Sequence, residues 1–179
     1  MRYHDITKDD MRNGFGLRAV LWVSGCEHHC PGCQNPVTWD PEDGLVFDEK
    51  AHDELMDILS RDYISGLTLS GGDPLYPGNR DEVCALCREV KENMPDKTIW
   101  LYTGYDYEDI RELDVMQYID VVVDGRYDEA LRDVLLNWRG SSNQRVIDNV
   151  ASRACGGICI IEDVIVKETG GIYVCNANS

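Results

Sequence analysis

The sequence predicts an α/β protein with one main domain, in which strands and helices alternate along the chain. Short apolar runs are each followed by a glycine-rich or polar loop and then by a segment of helical periodicity, at least three times. A chain of 179 residues is also long enough to bury one sizeable core. Such alternation favours parallel strands that are joined by right-handed helical crossovers.

The first unit begins at the run LRAVLWVS, residues 17–24, which suits a strand buried on both faces. A cysteine-rich loop follows this strand directly. Residues 48–62 then place their apolar side chains on one helical face, and Asp48 is a candidate N-cap. This segment is therefore predicted to be a helix.

Two further units follow with the same order of elements. Residues 66–70 form a predicted strand, and residues 81–93 show the apolar stripe of a helix. A second strand is predicted at residues 98–102, followed by a helix over residues 107–118. The run at residues 118–125 is again a buried strand that ends in a turn.

The segment after residue 147 differs from the repeated units, because it contains three cysteines and a predicted hairpin. We expect one domain over residues 1–147 and a C-terminal extension over residues 148–179. Within the extension, the residues before and after Gly170 and Gly171 are predicted to form a hairpin over residues 157–174.

The charge balance excludes two classes of function. Lys and Arg number 17 and Asp and Glu number 33, which gives a net charge of −16. This charge repels phosphate backbones and anionic lipids, so we expect neither a nucleic-acid nor a membrane partner. The chain shows no signal-like apolar region and no run of about eighteen apolar residues, so a cytoplasmic location is expected.

The loops that follow the predicted strands contain the candidate functional residues. They read GCEHHCPGC, SGGDP, TGY and DGRY. Because parallel strands bring their carboxyl ends to one edge of a sheet, these loops are expected to converge on one pocket.

The first of these loops contains Cys26, Cys30 and Cys33 in the spacing C-x3-C-x2-C. Eight cysteines without an export signal indicate reduced thiols, and closely spaced thiolates in a reducing compartment indicate metal. A cubane 4Fe-4S cluster held by three thiolates leaves one iron without a protein ligand. A molecule that offers an amine and a carboxylate, such as S-adenosylmethionine, can chelate that iron.

Other interpretations of the cysteines stay open. A zinc site completed by His28 or His29 is an alternative for the triplet. Cys84 and Cys87 are expected to be core residues of a helix rather than a metal or redox pair. The remaining three cysteines are either inert thiols of the extension or ligands of a second metal, and they are Cys155, Cys159 and Cys175.

The motifs together resemble one known family. C-x3-C-x2-C after the first strand and a Gly-Gly-acid loop after the next resemble the radical S-adenosylmethionine superfamily. The segments NGFGLRAVLWVSGCEHHCPGCQNPVTWD, LTLSGGDPLYPGN, IWLYTGY, VVVDGRY and WRGSSNQR are similar to the activating enzymes of anaerobic (class III) ribonucleoside-triphosphate reductases. This resemblance extends over residues 1–147 and implies a partial, open (βα) barrel of the radical S-adenosylmethionine type.

The resemblance implies a mechanism. The three cysteines of the triplet would hold a 4Fe-4S cluster, and an electron from a low-potential donor such as flavodoxin would cleave S-adenosylmethionine reductively. The resulting 5′-deoxyadenosyl radical would remove a hydrogen atom from a glycine Cα of the reductase and leave a glycyl radical there.

It also implies which residues bind S-adenosylmethionine. Gly71, Gly72 and Asp73 match the Gly-Gly-acid motif that faces the methionyl ammonium. The positions next to the adenine would be Gly32, Cys33 and Gln34, where Gln34 stands in place of an aromatic residue found in many relatives. Asp124 either compensates the sulfonium charge, helps to hold a bound cation or forms an ordinary turn.

Two further functions stay open at this point. The chain would be a radical enzyme acting on a small molecule, in the manner of a deazapurine synthase, if it had a pocket for such a substrate. Without catalysis, the chain would be a zinc or iron-sulfur interaction module.

Overall fold

A computed structural model describes residues 1–161 of the chain. The strands are β1 (Arg2–Asp10), β2 (Leu17–Val23), β3 (Leu45–Val46), β4 (Ile64–Gly71), β5 (Thr98–Tyr102), β6 (Val121–Asp124) and β7 (Arg145–Asp148). The α-helices are α1 (Glu49–Leu59), α2 (Arg80–Asn93), α3 (Tyr107–Ile110) and α4 (Asn149–Cys155).

The seven strands within residues 1–161 join one mixed sheet in the order β3-β1-β2-β4-β5-β6-β7. The four strands β2, β4, β5 and β6 pair in parallel, which confirms the α/β class and the parallel order of the repeated units. The outer strands differ, because β1 pairs antiparallel with β2 and with the edge strand β3, and the edge strand β7 pairs antiparallel with β6. The sequence interpretation did not include β1, β3 and β7.

The helices α1 and α2 form where their apolar periodicity predicts them. Asp48 caps α1, since its side chain accepts a hydrogen bond of 3.0 Å from the backbone N–H of Ala51. Apolar residues of both helices pack against the sheet in the main core, and Cys87 of α2 is fully buried among them. The assignment of Cys87 to the core is therefore confirmed.

The continuous helix expected over residues 107–118 is wrong. The helix α3 ends at Ile110, and a separate 3₁₀ turn follows at Asp114–Gln117. Leu113 adopts an extended conformation between the two, with φ −69° and ψ 142°. Because of the break, both short segments bury apolar side chains in the core. One straight helix over the same residues would direct some of these side chains away from the core.

The structure continues without interruption across residue 147. Asp148 is the last residue of β7 and also caps α4, because its side chain accepts a 2.8 Å hydrogen bond from the N–H of Ala151. Ile160 then forms an antiparallel bridge with Ile147. The division at residue 147 stays a prediction, and most of the expected hairpin, including Gly170 and Gly171, lies outside the described residues.

A buried arginine marks the second face of the sheet. Arg18 of β2 is fully buried and donates hydrogen bonds to Thr68 Oγ1 (2.7 Å), Leu67 O (2.6 Å) and Thr98 O (2.8 Å). Its guanidinium lies 5.5 Å from the ring centroid of Trp100. Burial lowers the pKa of Arg18 to about 10.

Among residues 1–161, no helix is both long and apolar enough to cross a bilayer.

Candidate functional site

The loops after the parallel strands meet around one cavity of about 460 Å³. Its lining includes the three cysteines of the triplet and Gln34 from the loop after β2, and the Gly-Gly-Asp motif after β4. Gly104 after β5 and Gly125 after β6 also line it. The convergence expected from parallel topology is confirmed.

Backbone hydrogen bonds fix the cysteine loop at both ends. The N–H of Gly25 donates to Thr38 O at 2.8 Å, and the N–H of Cys26 donates to Trp39 O at 3.0 Å. The N–H of Cys33 closes a turn onto Cys30 O at 3.1 Å. These backbone hydrogen bonds hold the three thiols on one folded loop.

Gly32 shapes the turn between the last two cysteines. It has a φ of 70°, in the left-handed region that favours glycine. A Cβ at this position would lie 2.6 Å from the carboxyl carbon of Glu129, which lies against the turn. Of the three positions expected near an adenine, Cys33 and Gln34 line the cavity, whereas Gly32 supports the turn behind them.

Backbone amides point at the cysteine sulfurs. The N–H of Asn35 donates to Cys33 Sγ at 3.4 Å, and the amides of His28 and His29 donate to Cys26. Burial raises the pKa of the Cys26 and Cys30 thiols, and backbone hydrogen bonds to each of these two sulfurs act in the opposite direction. Amide donors around thiolates are the environment that iron-sulfur centres use to tune their potentials.

The three thiols of the triplet line one cavity, and thiolates are ligands of both iron-sulfur clusters and zinc. The zinc alternative needs His28 or His29 as a fourth ligand. His28 Nε2 lies 2.7 Å from Asp73 Oδ2, and His29 Nδ1 lies 3.1 Å from Glu27 O, so each histidine already has a partner within the protein.

The glycines of the Gly-Gly-Asp motif allow two loops to approach each other. Gly71 has a φ of 102°, and a Cβ there would lie 2.8 Å from both the N and the O of Val23. A Cβ on Gly72 would lie 2.5 Å from Gly25 O. The N–H of Gly72 donates to Val23 O at 2.8 Å, and the N–H of Asp73 donates to Gly25 O at 2.7 Å. The motif therefore joins β4 to the cysteine loop.

The Asp73 carboxylate is buried and fully engaged within the protein. It accepts hydrogen bonds from Leu75 N (2.8 Å), Gly104 N (3.0 Å) and Thr103 Oγ1 (2.9 and 3.0 Å). The fourth partner is His28 Nε2 at 2.7 Å, with both side chains almost completely buried. Asp73 thus connects the loops after β2, β4 and β5, a role that sequence spacing did not reveal.

We expect Asp73→Asn to destabilise the protein by about 2 kcal/mol, because an amide NH₂ would face at least one of these donors and leave it unsatisfied. Urea unfolding of the variant and the parent measures this loss. Asp62→Asn is the matched control, since Asp62 is exposed. Equal stability of the two variants would contradict the connecting role of Asp73.

The structure does not place Asp124 with the other predicted ligand-binding residues. Its buried carboxylate accepts from the N–H of Tyr107 at 2.8 Å and from Arg145 Nη2 at 2.5 Å. It lines a neighbouring cavity of about 590 Å³. Arg145 also donates to Glu108 at 2.7 and 3.0 Å, so one guanidinium bridges two carboxylates.

The Glu108 pair predicts a pH dependence. Hydrogen bonding to Arg145 lowers the pKa of Glu108 to about 2. Because the folded-state value lies below the ordinary one, the pair stabilises the protein above about pH 4.3 and loses its effect as the pH falls towards 2. Glu108 is half exposed, so the effect is expected to stay below about 1 kcal/mol.

Urea unfolding of Glu108→Gln and the parent between pH 7 and pH 2.5 tests this dependence. The two stability curves should differ at neutral pH and converge in acid. Glu92→Gln, at an exposed position of α2, is the control that should follow the parent throughout. A difference that stays constant with pH would contradict the assignment.

The cavity also contains residues that sequence reasoning did not select as ligands. Trp138, in the segment WRGSSNQR, lines it and packs against Phe15 (4.3 Å between ring centroids) and Trp100 (5.3 Å). Tyr102 lines it with a buried hydroxyl that has no hydrogen-bond partner among residues 1–161. The alternation of β5 places Trp100 and Tyr102 on one face, and this signal predicts Tyr102 as an inward-facing residue.

Comparisons with known proteins identify the family of this chain. The model of a family described as a 4Fe-4S single cluster domain matches residues 12–147. The anaerobic ribonucleoside-triphosphate reductase-activating protein of Enterobacteria phage T4 is 49% identical over 149 residues, which cover 83% of this chain and 95% of that protein. The protein of the same name from Escherichia coli (strain K12) is 41% identical over 150 residues, covering 82% and 97%. The chain therefore belongs to the family of anaerobic ribonucleoside-triphosphate reductase-activating proteins.

Proposed function

We propose that this protein activates an anaerobic ribonucleoside-triphosphate reductase by generating a glycyl radical on it. The relatives are named for activation of that reductase, and the extent of the match supports the same partner here. The observation that carries the proposal is the cavity in which Cys26, Cys30 and Cys33 lie together with the Gly71–Asp73 loop.

In this proposal the thiolates of the triplet hold a 4Fe-4S cluster. Backbone hydrogen bonds to the Cys26 and Cys30 sulfurs oppose the effect of burial, which raises the pKa of both thiols. When bound, the cluster supplies one electron for the reductive cleavage of S-adenosylmethionine to methionine and a 5′-deoxyadenosyl radical. That radical takes a hydrogen atom from a glycine Cα of the reductase.

The chain positions S-adenosylmethionine for this reaction. Gly71, Gly72, Cys33 and Gln34 line the cavity. In this proposal the backbone of the two glycines would meet the methionyl end, and Cys33 and Gln34 would lie next to the adenine. We propose an indirect role for Asp73, since its carboxylate is already bonded to the loops that frame the site.

Gly32 and Asp124 also act indirectly in this proposal. Gly32 shapes the cysteine turn, and Asp124 holds the start of α3 and the side chain of Arg145. Both residues would support the binding surface without contacting S-adenosylmethionine.

We further propose that the sheet is the partial, open barrel of the radical S-adenosylmethionine type. Its edge strands β3 and β7 lie at opposite ends of the strand order, and no pairing joins them within the described residues. An open side suits a protein substrate, because a glycine loop of the reductase must enter the cavity. A cytoplasmic location and a low-potential donor such as flavodoxin complete the proposal, with no nucleic-acid or membrane partner.

The decisive experiment combines the anaerobically reconstituted protein, a strong reductant, S-adenosylmethionine and the reductase. Electron paramagnetic resonance should show a glycine-centred doublet on the reductase, and chromatography should show 5′-deoxyadenosine. Deoxyadenosine without a reductase radical would point to a small-molecule substrate. Neither product, despite about four irons and four sulfides per chain, would point to a non-catalytic module.

A further inference from the structure

Besides the cysteine triplet of the cavity, two further thiols, those of Cys155 and Cys159, lie in contact with each other. Cys155 is the last residue of α4, and Cys159 follows after the turn that begins at Gly156. Their sulfurs are 3.4 Å apart. A disulfide bond measures about 2.04 Å, so the two sulfurs need to approach by only about 1.4 Å to form one.

Backbone hydrogen bonds fix the position of Cys159 next to Cys155. The N–H of Cys159 donates to Ser152 Oγ at 2.8 Å, and its carbonyl accepts from the N–H of Asp148 at 2.8 Å. The N–H of Ile161 donates to Val146 O at 2.7 Å. The segment after α4 is thereby fixed along β7, so the contact between the sulfurs does not depend on a loose loop.

The two thiols are unequal. Cys155 is exposed, whereas Cys159 is only 2% exposed. The N–H of Gly157 donates to Cys155 Sγ at 3.3 Å, and this bond together with the Cys159 thiol lowers the pKa of Cys155. An exposed sulfur with thiolate character next to a buried one is the arrangement of an attacking and a resolving cysteine.

We propose that Cys155 and Cys159 form a redox-active dithiol that exchanges with disulfide-bearing molecules. The Cys155 thiolate attacks one sulfur of an external disulfide, which forms a mixed disulfide and releases the first thiolate. The Cys159 thiol then loses its proton to solvent, and its sulfur attacks Cys155 Sγ and releases the second thiolate. Two protein thiols are oxidised to one disulfide, and the external disulfide is reduced to two thiols.

Another closely spaced pair provides a contrast within the same chain. Cys84 and Cys87 lie three residues apart on α2, but Cys87 is fully buried in the main core. Burial raises the pKa of Cys87 far above its ordinary range. This thiol is therefore a poor nucleophile, and short spacing alone does not make a redox pair.

Trypsin separates the two pairs from each other and from the cluster cysteines. Cleavage after Arg153 and Lys167 gives a peptide of residues 154–167 that contains Cys155 and Cys159. Cleavage after Arg80 and Arg88 gives a peptide of residues 81–88 that contains Cys84 and Cys87. Cys175 falls in a third peptide, residues 168–179.

The test exposes the reconstituted protein, without oxygen, to graded ratios of oxidised to reduced glutathione, followed by an acid quench, alkylation, trypsin and mass spectrometry. Peptide 154–167 should lose two hydrogens and take up no alkyl group, at ratios where peptide 81–88 still takes up two. Parallel oxidation of both peptides, or a link between 154–167 and 168–179, would overturn the assignment.

Single variants test the order of attack. Cys159→Ser should leave the mixed glutathione disulfide on Cys155, because the resolving thiol is missing. Cys155→Ser changes an exposed side chain, and Cys159 should then react at least about tenfold more slowly than Cys155 does in the parent. If Cys159 in the Cys155→Ser variant reacts with glutathione disulfide as fast as Cys155 does in the parent, the roles assigned to the two cysteines are wrong. None of these readouts depends on the cluster or on activity towards the reductase.

Discussion

Replacement of Cys26, Cys30 or Cys33 by serine is expected to abolish cleavage of S-adenosylmethionine. Each thiol lies on the cavity, and a serine hydroxyl is a harder and far less acidic ligand than a thiol. Loss of a residue that only orients a metal ligand already costs about 10- to 100-fold, so loss of a ligand should exceed about 100-fold. The measurements are iron and sulfide content after anaerobic reconstitution and the rate of 5′-deoxyadenosine formation.

The matched control is Cys84→Ser, which changes a partly buried thiol of α2 outside the cavity lining. We expect this variant to bind iron and to cleave S-adenosylmethionine as the parent does. A serine variant of the triplet that keeps four irons and the parental rate would show that the missing thiol is not a ligand. The proposed assignment would then fail at that position.

The repeated units of the fold follow from local sequence because each has a strong periodic signal. The apolar stripes of α1 and α2 and the continuous apolar runs of the central strands specify both type and position. The strand β1 has no such signal, since only Tyr3 and Ile6 of its nine residues are buried. The strand β7 has four residues, too few for a periodic pattern to stand out.

The site shows a similar division between local and long-range information. Parallel order alone predicts that the four loops meet, and the cysteine spacing predicts which of them holds the thiols. The partners of Asp73 lie up to 45 residues away in the sequence, at His28. Nothing local specifies that choice, so the sequence does not predict the hydrogen bonds by which Asp73 connects three loops. Asp124 and Arg145 illustrate the same limit, because their pairing depends on the antiparallel register of β6 and β7.

The second large effect is expected from Gly71→Ala, which should destabilise the protein by about 3 kcal/mol. The new Cβ would lie 2.8 Å from the Val23 backbone N and O, which cannot rotate away as a side chain can. Overpacking costs about 1–3 kcal/mol, and a left-handed conformation adds about 1–2 kcal/mol for a residue with a Cβ. Urea unfolding and the rate of 5′-deoxyadenosine formation are both measured.

Gly156→Ala separates the conformational cost of a Cβ from the cost of its steric contact. Gly156 has a φ of 74°, but a Cβ there would meet no atom within 4 Å, so its cost should be conformational only, about 1 kcal/mol. The difference between the two variants measures the contact between β4 and the strand that leads to the cysteine loop. If both variants lose the same stability while only Gly71→Ala loses cleavage, the glycine is needed for the ligand rather than for the approach of the two strands. Greater instability of Gly71→Ala, with loss of iron as the loop shifts, would establish that this glycine acts through the protein itself.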